Sequence, residues 1–182
     1  MVDQNTQSTK KFDNHAINQM HGKTAQRAEA GAGDQREPLR AIAGGWHAIL
    51  LGIERRKCVL VTNDRSLYTI FIPGLKKPDF NDFGEMFRHH LFKNLLHERF
   101  TQGKIEAVLD EHRTILFART NNRSVLGLMN DLKFHLEFFI ASRGGLVQAP
   151  IYEVNRRLNR IPFSAIGGKC PIDRIKELLH GI

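Results

Sequence analysis

Apolar positions follow two regimes along the chain. Residues 3–40 offer only Phe12, Ile17, Met20 and Leu39 as large apolar groups among Gln, Asn, Thr, Lys, Ala and Gly. A segment that buries so little does not offset its own ordering entropy, so residues 1–45 read as a polar, largely flexible N-terminal arm. A short helix is expected within it near Phe12 to His21, and the run Ala30-Gly31-Ala32-Gly33-Asp34 is expected to be irregular.

From Trp46 the texture changes. Three apolar runs, Trp46 to Ile53, Lys57 to Thr62 and Leu67 to Ile72, are separated by Glu54-Arg55-Arg56 and by Asn63-Asp64-Arg65-Ser66. Short apolar runs bounded by such brief polar links predict strands in an antiparallel meander. The second and third runs hardly alternate, which predicts a sheet covered on both faces. Pro73-Gly74 is expected to end the third strand, and Asp82 to start a helix, with Glu85 in capping-box spacing.

Phe83, Phe87, Leu91 and Leu95 then mark one helical face. A short helix is expected over 104–111 and a fourth strand over 114–118. The longest helical pattern follows: Val125, Leu128, Met129, Leu132, Leu136, Phe139 and Ile140 recur between an Asn121-Asn122 start and a Gly144-Gly145 stop. Two further short helices are expected, around Tyr152 to Asn159 and Pro171 to His180. The fold class predicted is α+β: an antiparallel meander of three to four strands packed against a long helix, with several shorter helices. Residues 46–182 form one domain behind the arm.

These residues also carry a resemblance. Trp46-His47 at a strand start, Arg55-Arg56-Lys57, Asn63-Asp64, and Gly74-Leu75-Lys76 before Asp79-Phe80 make its first half. Asn122-Arg123-Ser124-Val125, Met129-Asn130 and Leu158-Asn159-Arg160-Ile161-Pro162 make its second. In that order they resemble an uncharacterised bacterial family known only as a domain of unknown function. Ser8-Thr9-Lys10-Lys11 is similar to that family's N-terminal Thr-Lys-Lys segment, which implies an extra strand from the arm. The resemblance implies no activity, cofactor or catalytic set.

Composition narrows the function classes. The chain has 182 residues, 41% of them hydrophobic, which suits one core. No apolar stretch approaches the length of a membrane span, and the start Met1-Val2-Asp3-Gln4-Asn5 lacks a secretory h-region, so no membrane contact and a cytoplasmic location are expected. Cys58 and Cys170 lie far apart without a CxxC companion and read as reduced thiols. The formal net charge is +8, and residues 1–45 hold six bases and five acids against 21 and 14 in the remainder. The excess therefore belongs to the folded part, where it attracts a nucleic acid or an acidic protein partner. Neither spacing nor charge assigns an oligomeric state.

Familiar catalytic motifs are missing. His89, His90 and His97 lack metal-ligand spacing, and His97-Glu98 does not extend to HExxH, so no metal is predicted. GxSxG, GxxxxGK[ST] and GxGxxG do not occur, and no cofactor is predicted. Polar residues at the ends of apolar elements remain: Trp46 and His47, Asn63 and Asp64, Asn122 and Arg123, Asn130 and Asp131, Asn159 and Arg160. Gathered on one rim, His47, Asp64, Arg123 and Asn130 would suit phosphodiester chemistry, with His47 as general base. The ordinary reading of the same residues is helix capping and turn chemistry.

Three basic clusters stand out: Arg55-Arg56-Lys57, Lys76-Lys77, and Arg156-Arg157 with Arg160. On one face they would form a phosphate-binding surface with Trp46 or Tyr68 available for stacking. The leading expectation is a basic accessory protein that binds nucleic acid or a nucleoprotein partner. Two alternatives stand beside it: an interaction module whose arm orders on a partner, and a metal-independent nuclease or toxin-like enzyme.

Overall fold

A computed structural model describes residues 18–22, 44–113, 115–119 and 123–180. Among the described residues, five strands form one sheet: β1 (Asn18–Gly22), β2 (Trp46–Ile53), β3 (Arg56–Asn63), β4 (Thr69–Leu75) and β5 (Ile115–Arg119), in the order β4-β3-β2-β1-β5. All neighbours are antiparallel. Five helices accompany them in the described residues: α1 (Phe83–His97), α2 (Gln102–Glu111), α3 (Arg123–Ala141), α4 (Ile151–Leu158) and α5 (Pro171–Leu178). Short 3-10 turns occupy Lys77–Phe80 and Ser164–Ile166. The protein is α+β, a meander packed against a long helix with shorter helices around it.

Strand alternation sorts the core into two layers. Trp46 and Ala48 of β2, Val59 and Val61 of β3, and Ile70 and Ile72 of β4 face α1, α2 and α5, meeting Phe83, Phe87, Leu91 and Leu95. On the other face Ile49, Leu51, Cys58, Leu60 and Phe71 meet Val125, Met129, Leu132 and Leu136 of α3, with Val154 and Leu158 of α4. Covering both faces explains why β3 and β4 read as continuous apolar runs. No helix among the described residues is long and apolar enough to cross a membrane.

Several expectations need correction. Over its described part, the helix expected at Phe12 to His21 is strand: Asn18–Gly22 pairs with both β2 and β5, so five residues of the arm join the sheet. Ser8–Lys11, the Ala30–Asp34 run and the Asn121-Asn122 start lie outside the described residues. Pro73-Gly74 does not end β4, which continues to Leu75. Ile72 pairs with Val59 and Leu75 with Lys57, so β4 carries one extra residue there, and a bulge on an edge strand tolerates a proline that donates no ladder bond. Leu67, at φ 60, belongs to the preceding turn instead of the strand. Asp82 makes no side-chain cap bond, and Glu85 pairs with Arg88 at 3.1 Å in place of a capping box.

The edge of the sheet is closed by amides. Asn155 and Asn159 lie one turn apart on α4, about 6 Å along the axis, which matches a two-residue step along a strand. Asn159 Oδ1 accepts the Thr69 N–H at 2.7 Å while its Nδ2 donates to the Thr69 carbonyl at 2.8 Å. Asn155 Oδ1 accepts the Phe71 N–H at 2.9 Å and its Nδ2 donates to Asn94 Oδ1 at 2.9 Å. The helix thus satisfies the outward groups of β4 as another strand would.

Candidate nucleic-acid interface

The β2–β3 connection is a two-residue hairpin, with Ile53 opposite Arg56. Glu54 (φ 48) and Arg55 (φ 62) both lie in the left-handed region, which a type I′ turn demands and which glycine or asparagine ordinarily supplies. Glu54 has a visible structural task. Its carboxylate accepts the Leu146 N–H at 2.9 Å, anchoring the chain that leaves α3. Gly145, at φ 107, holds a backbone conformation that favours glycine, and a Cβ there would also sit 2.7 Å from Glu54 Oε1 and displace that carboxylate.

Register carries the second basic cluster to the same place. Lys57 pairs with Leu75, so Arg55, Arg56 and Lys57 share one end of the sheet with Lys76 and Lys77. All five are exposed, and none makes an ion pair among the described residues. Asp79 is engaged locally, accepting the Lys76 N–H at 2.6 Å. The Lys57 ammonium lies 5.9 Å from the centre of the half-buried Phe80 ring. Phe80 is therefore the aromatic beside this cluster. Trp46 and Tyr68, expected as stacking surfaces, are both wholly buried and present no face to a ligand.

The third cluster goes elsewhere. Arg156 and Arg157 ride on α4, which runs along β4 so that Asn159 meets Thr69 at the opposite end of that strand from Leu75. Arg157 lies 5.7 Å from the Phe139 ring of α3. Arg160 forms a two-pronged bond to Glu98, at 2.7 and 2.6 Å, and this contact holds its guanidinium above the ordinary arginine range. The clusters do not form one patch: five cations gather at the hairpin end and three spread along α4 and beyond it.

The four candidate catalytic residues occupy separate settings. His47 is fully buried on the α3 side of β2, opposite Thr62. Asp64 Oδ1 accepts the Gly45 N–H at 3.0 Å, within a turn where Asn63 Oδ1 accepts the Ser66 N–H at 2.9 Å and its Nδ2 reaches the Gly45 carbonyl at 3.1 Å. Arg123 opens α3 in an exposed position, and Asn130 is exposed on that helix between the buried Met129 and Leu132.

Sequence reasoning overlooked a cavity of about 360 Å³ between the end of α1, α4 and α5. Its lining includes His97, Glu98, Arg99, Tyr152, Arg156 and Lys176. Near its Glu98–Arg160 pair lies the Tyr68 phenol, which burial first and the Glu98 carboxylate second keep protonated. The Tyr68 hydroxyl has no hydrogen-bond partner among the described residues. No spacing in the sequence groups these residues: His97 ends α1, Arg99 lies two positions on and outside the helix, and their meeting with α4 depends on packing.

Comparison with known proteins adds a family and no activity. Residues 7–174 match the model of a domain of unknown function, DUF6933, and the chain belongs to that family. No curated protein and no solved structure matches it.

Proposed function

We propose that this family member binds nucleic acid through the hairpin end of its sheet, with Arg55, Arg56, Lys57, Lys76 and Lys77 contacting backbone phosphates. The observation that supports this reading is the β3–β4 register, which sets Lys57 opposite Leu75 and so joins two basic segments separated in sequence. Phosphate polymers reward such a cluster because each neutralised phosphate releases condensed counterions. Phe80, beside Lys57, is placed to pack against a base or sugar. With no base-reading helix in this cluster, the contact is expected to be sequence-tolerant.

The test is fluorescence anisotropy with labelled single- and double-stranded DNA and RNA over a salt series. Wild-type protein is compared with Arg55→Ala/Arg56→Ala and with Lys76→Gln/Lys77→Gln. Binding that weakens with salt, and a log–log slope that falls by about one for each phosphate contact removed, is the expected result. Absence of binding at low salt, or binding by both variants as tight as that of wild type, overturns the reading.

A further inference from the structure

We propose that the cavity between α1, α4 and α5 is a binding site for a nucleoside 5′-phosphate. The site is separate from the hairpin end, and its fate does not depend on that reading. Its volume, about 360 Å³, is far larger than a bare phosphate needs and falls within the roughly 300–1,000 Å³ of small-molecule sites.

The charge on its walls selects an anion. Glu98 is taken up by Arg160 in the two-pronged bond, and Glu153 lies 3.8 Å from Arg156. Arg99 and Lys176 remain as cations with no ion pair among the described residues. Three arginines and a lysine around one cavity offer planar forks and a point charge, the donor set that phosphate oxygens accept best. Because Glu98 is nearly buried, at 6% side-chain exposure, Arg160 is held in place before any ligand arrives.

A flat wall accompanies the cations. Tyr152 of α4 stacks on His97 of α1 with ring centres 4.0 Å apart and planes 19° apart. Both line the cavity. A stacked aromatic pair beside a phosphate-binding group suits a planar ring joined to a phosphate.

Arg99 supplies an independent argument. The Phe100 N–H bonds to the Leu95 carbonyl at 3.1 Å and the Arg99 N–H to the Leu96 carbonyl at 3.0 Å, the paired bonds of a Schellman stop. The left-handed position in that stop normally belongs to glycine, yet here it is Arg99, at φ 59. A side chain kept at a strained position on the lip of a cavity points to work done by the side chain. Replacing it with glycine should leave the fold at least as stable while removing a phosphate contact.

Isothermal titration calorimetry on the full chain tests this with the four ribonucleoside 5′-monophosphates, their parent nucleosides and inorganic phosphate. A second arm compares 5′-phosphorylated with 5′-hydroxyl dinucleotides, which separates a free nucleotide from the end of a strand. Saturable binding of a phosphorylated form in either arm is expected. That binding should weaken roughly tenfold or more in Arg99→Gly and in Lys176→Gln, and within twofold be unchanged in Arg143→Gln, an exposed arginine outside the cavity. Thermal melting of Arg99→Gly in the same buffer is expected to match or exceed wild type. The proposal is overturned by no binding at millimolar ligand, by nucleosides binding as well as their phosphates, by inorganic phosphate binding as tightly as the monophosphates, or by full affinity in Arg99→Gly.

Discussion

The indole N–H of Trp46 donates to Nε2 of His112 at 2.8 Å, deep in the layer between the sheet and α2. Indole can only donate, so Nε2 must accept, and the single imidazole proton sits on Nδ1, which donates to the Val108 carbonyl at 2.7 Å. This pair joins β2 to the end of α2, and Phe87 of α1 packs edge-on against the indole with centres 5.1 Å apart. A proton added to Nε2 would point at the indole donor. The arrangement therefore holds only while His112 is neutral.

That geometry predicts how stability varies with pH. Burial pushes the His112 imidazole below its ordinary value, and burial followed by the neighbouring His89 does the same to His90. A histidine lowered in the folded state takes up its proton first in the unfolded chain. Stability is thus full above the ordinary histidine value of about 6.5 and falls as pH drops through it toward the lowered folded values. Urea midpoints measured from pH 8 to 5 are expected to decline. His112→Gln, whose carbonyl can accept the indole proton, should show a shallower decline, and an unchanged slope in that variant would count against the assignment.

Asn159→Ala is expected to cost about 2–6 kcal/mol, because it abandons both the N–H and the carbonyl of Thr69 and each unsatisfied buried group costs roughly 1–3 kcal/mol. Arg156→Ala, at an exposed position of the same helix, should change stability by less than about 0.5 kcal/mol. Chemical denaturation of the two variants checks the contrast. Equal effects would mean that closure of the β4 edge contributes little.

The layers of this fold were legible in the pattern of Val, Ile and Leu, because a strand buried on both faces and a helix with one apolar stripe each leave a periodic trace. The edges were not. Pro73-Gly74 looked like a stop since nothing local announces that β4 is an edge strand able to absorb a bulge. Asn159 looked like the end of a helix, which it is, but its amide reaches Thr69 ninety residues away. Two asparagines spaced i, i+4 beside Val154 and Leu158 on a buried helix face were the available signal. The basic clusters were visible as charge, whereas their convergence depended on strand register. The cavity depended on the packing of helices whose sequences say nothing of one another.

Thiol chemistry offers a check on the layer beneath α3. Cys58 is fully buried, and burial raises its thiol above the ordinary range, while Cys170 is partly exposed and both are free. A thiol-reactive reporter is expected to modify Cys170 readily under native conditions and Cys58 only as the protein unfolds. Mapping the labelled residue by mass spectrometry decides the order. Rapid labelling of Cys58 would mean that the sheet opens between β3 and α3.

The hairpin turn sets backbone strain against function within two adjacent residues. Glu54 and Arg55 both hold positive φ, a conformation that costs a residue with a side chain about 1–2 kcal/mol. Glycine removes that cost but gives back roughly 0.5–1 kcal/mol through the greater freedom of the unfolded chain. Arg55→Gly should therefore raise stability by roughly 0.5–1 kcal/mol. Glu54→Gly gains less, because it also forfeits the carboxylate that accepts the Leu146 N–H. Binding should divide the pair the other way. Arg55→Gly is expected to weaken nucleic-acid affinity and lower the salt slope by about one, whereas Glu54→Gly removes a repelling charge and should preserve or tighten binding. If Arg55→Gly stabilised the protein and left affinity unchanged, the arginine would have no phosphate to meet and the interface assigned to this turn would have to move.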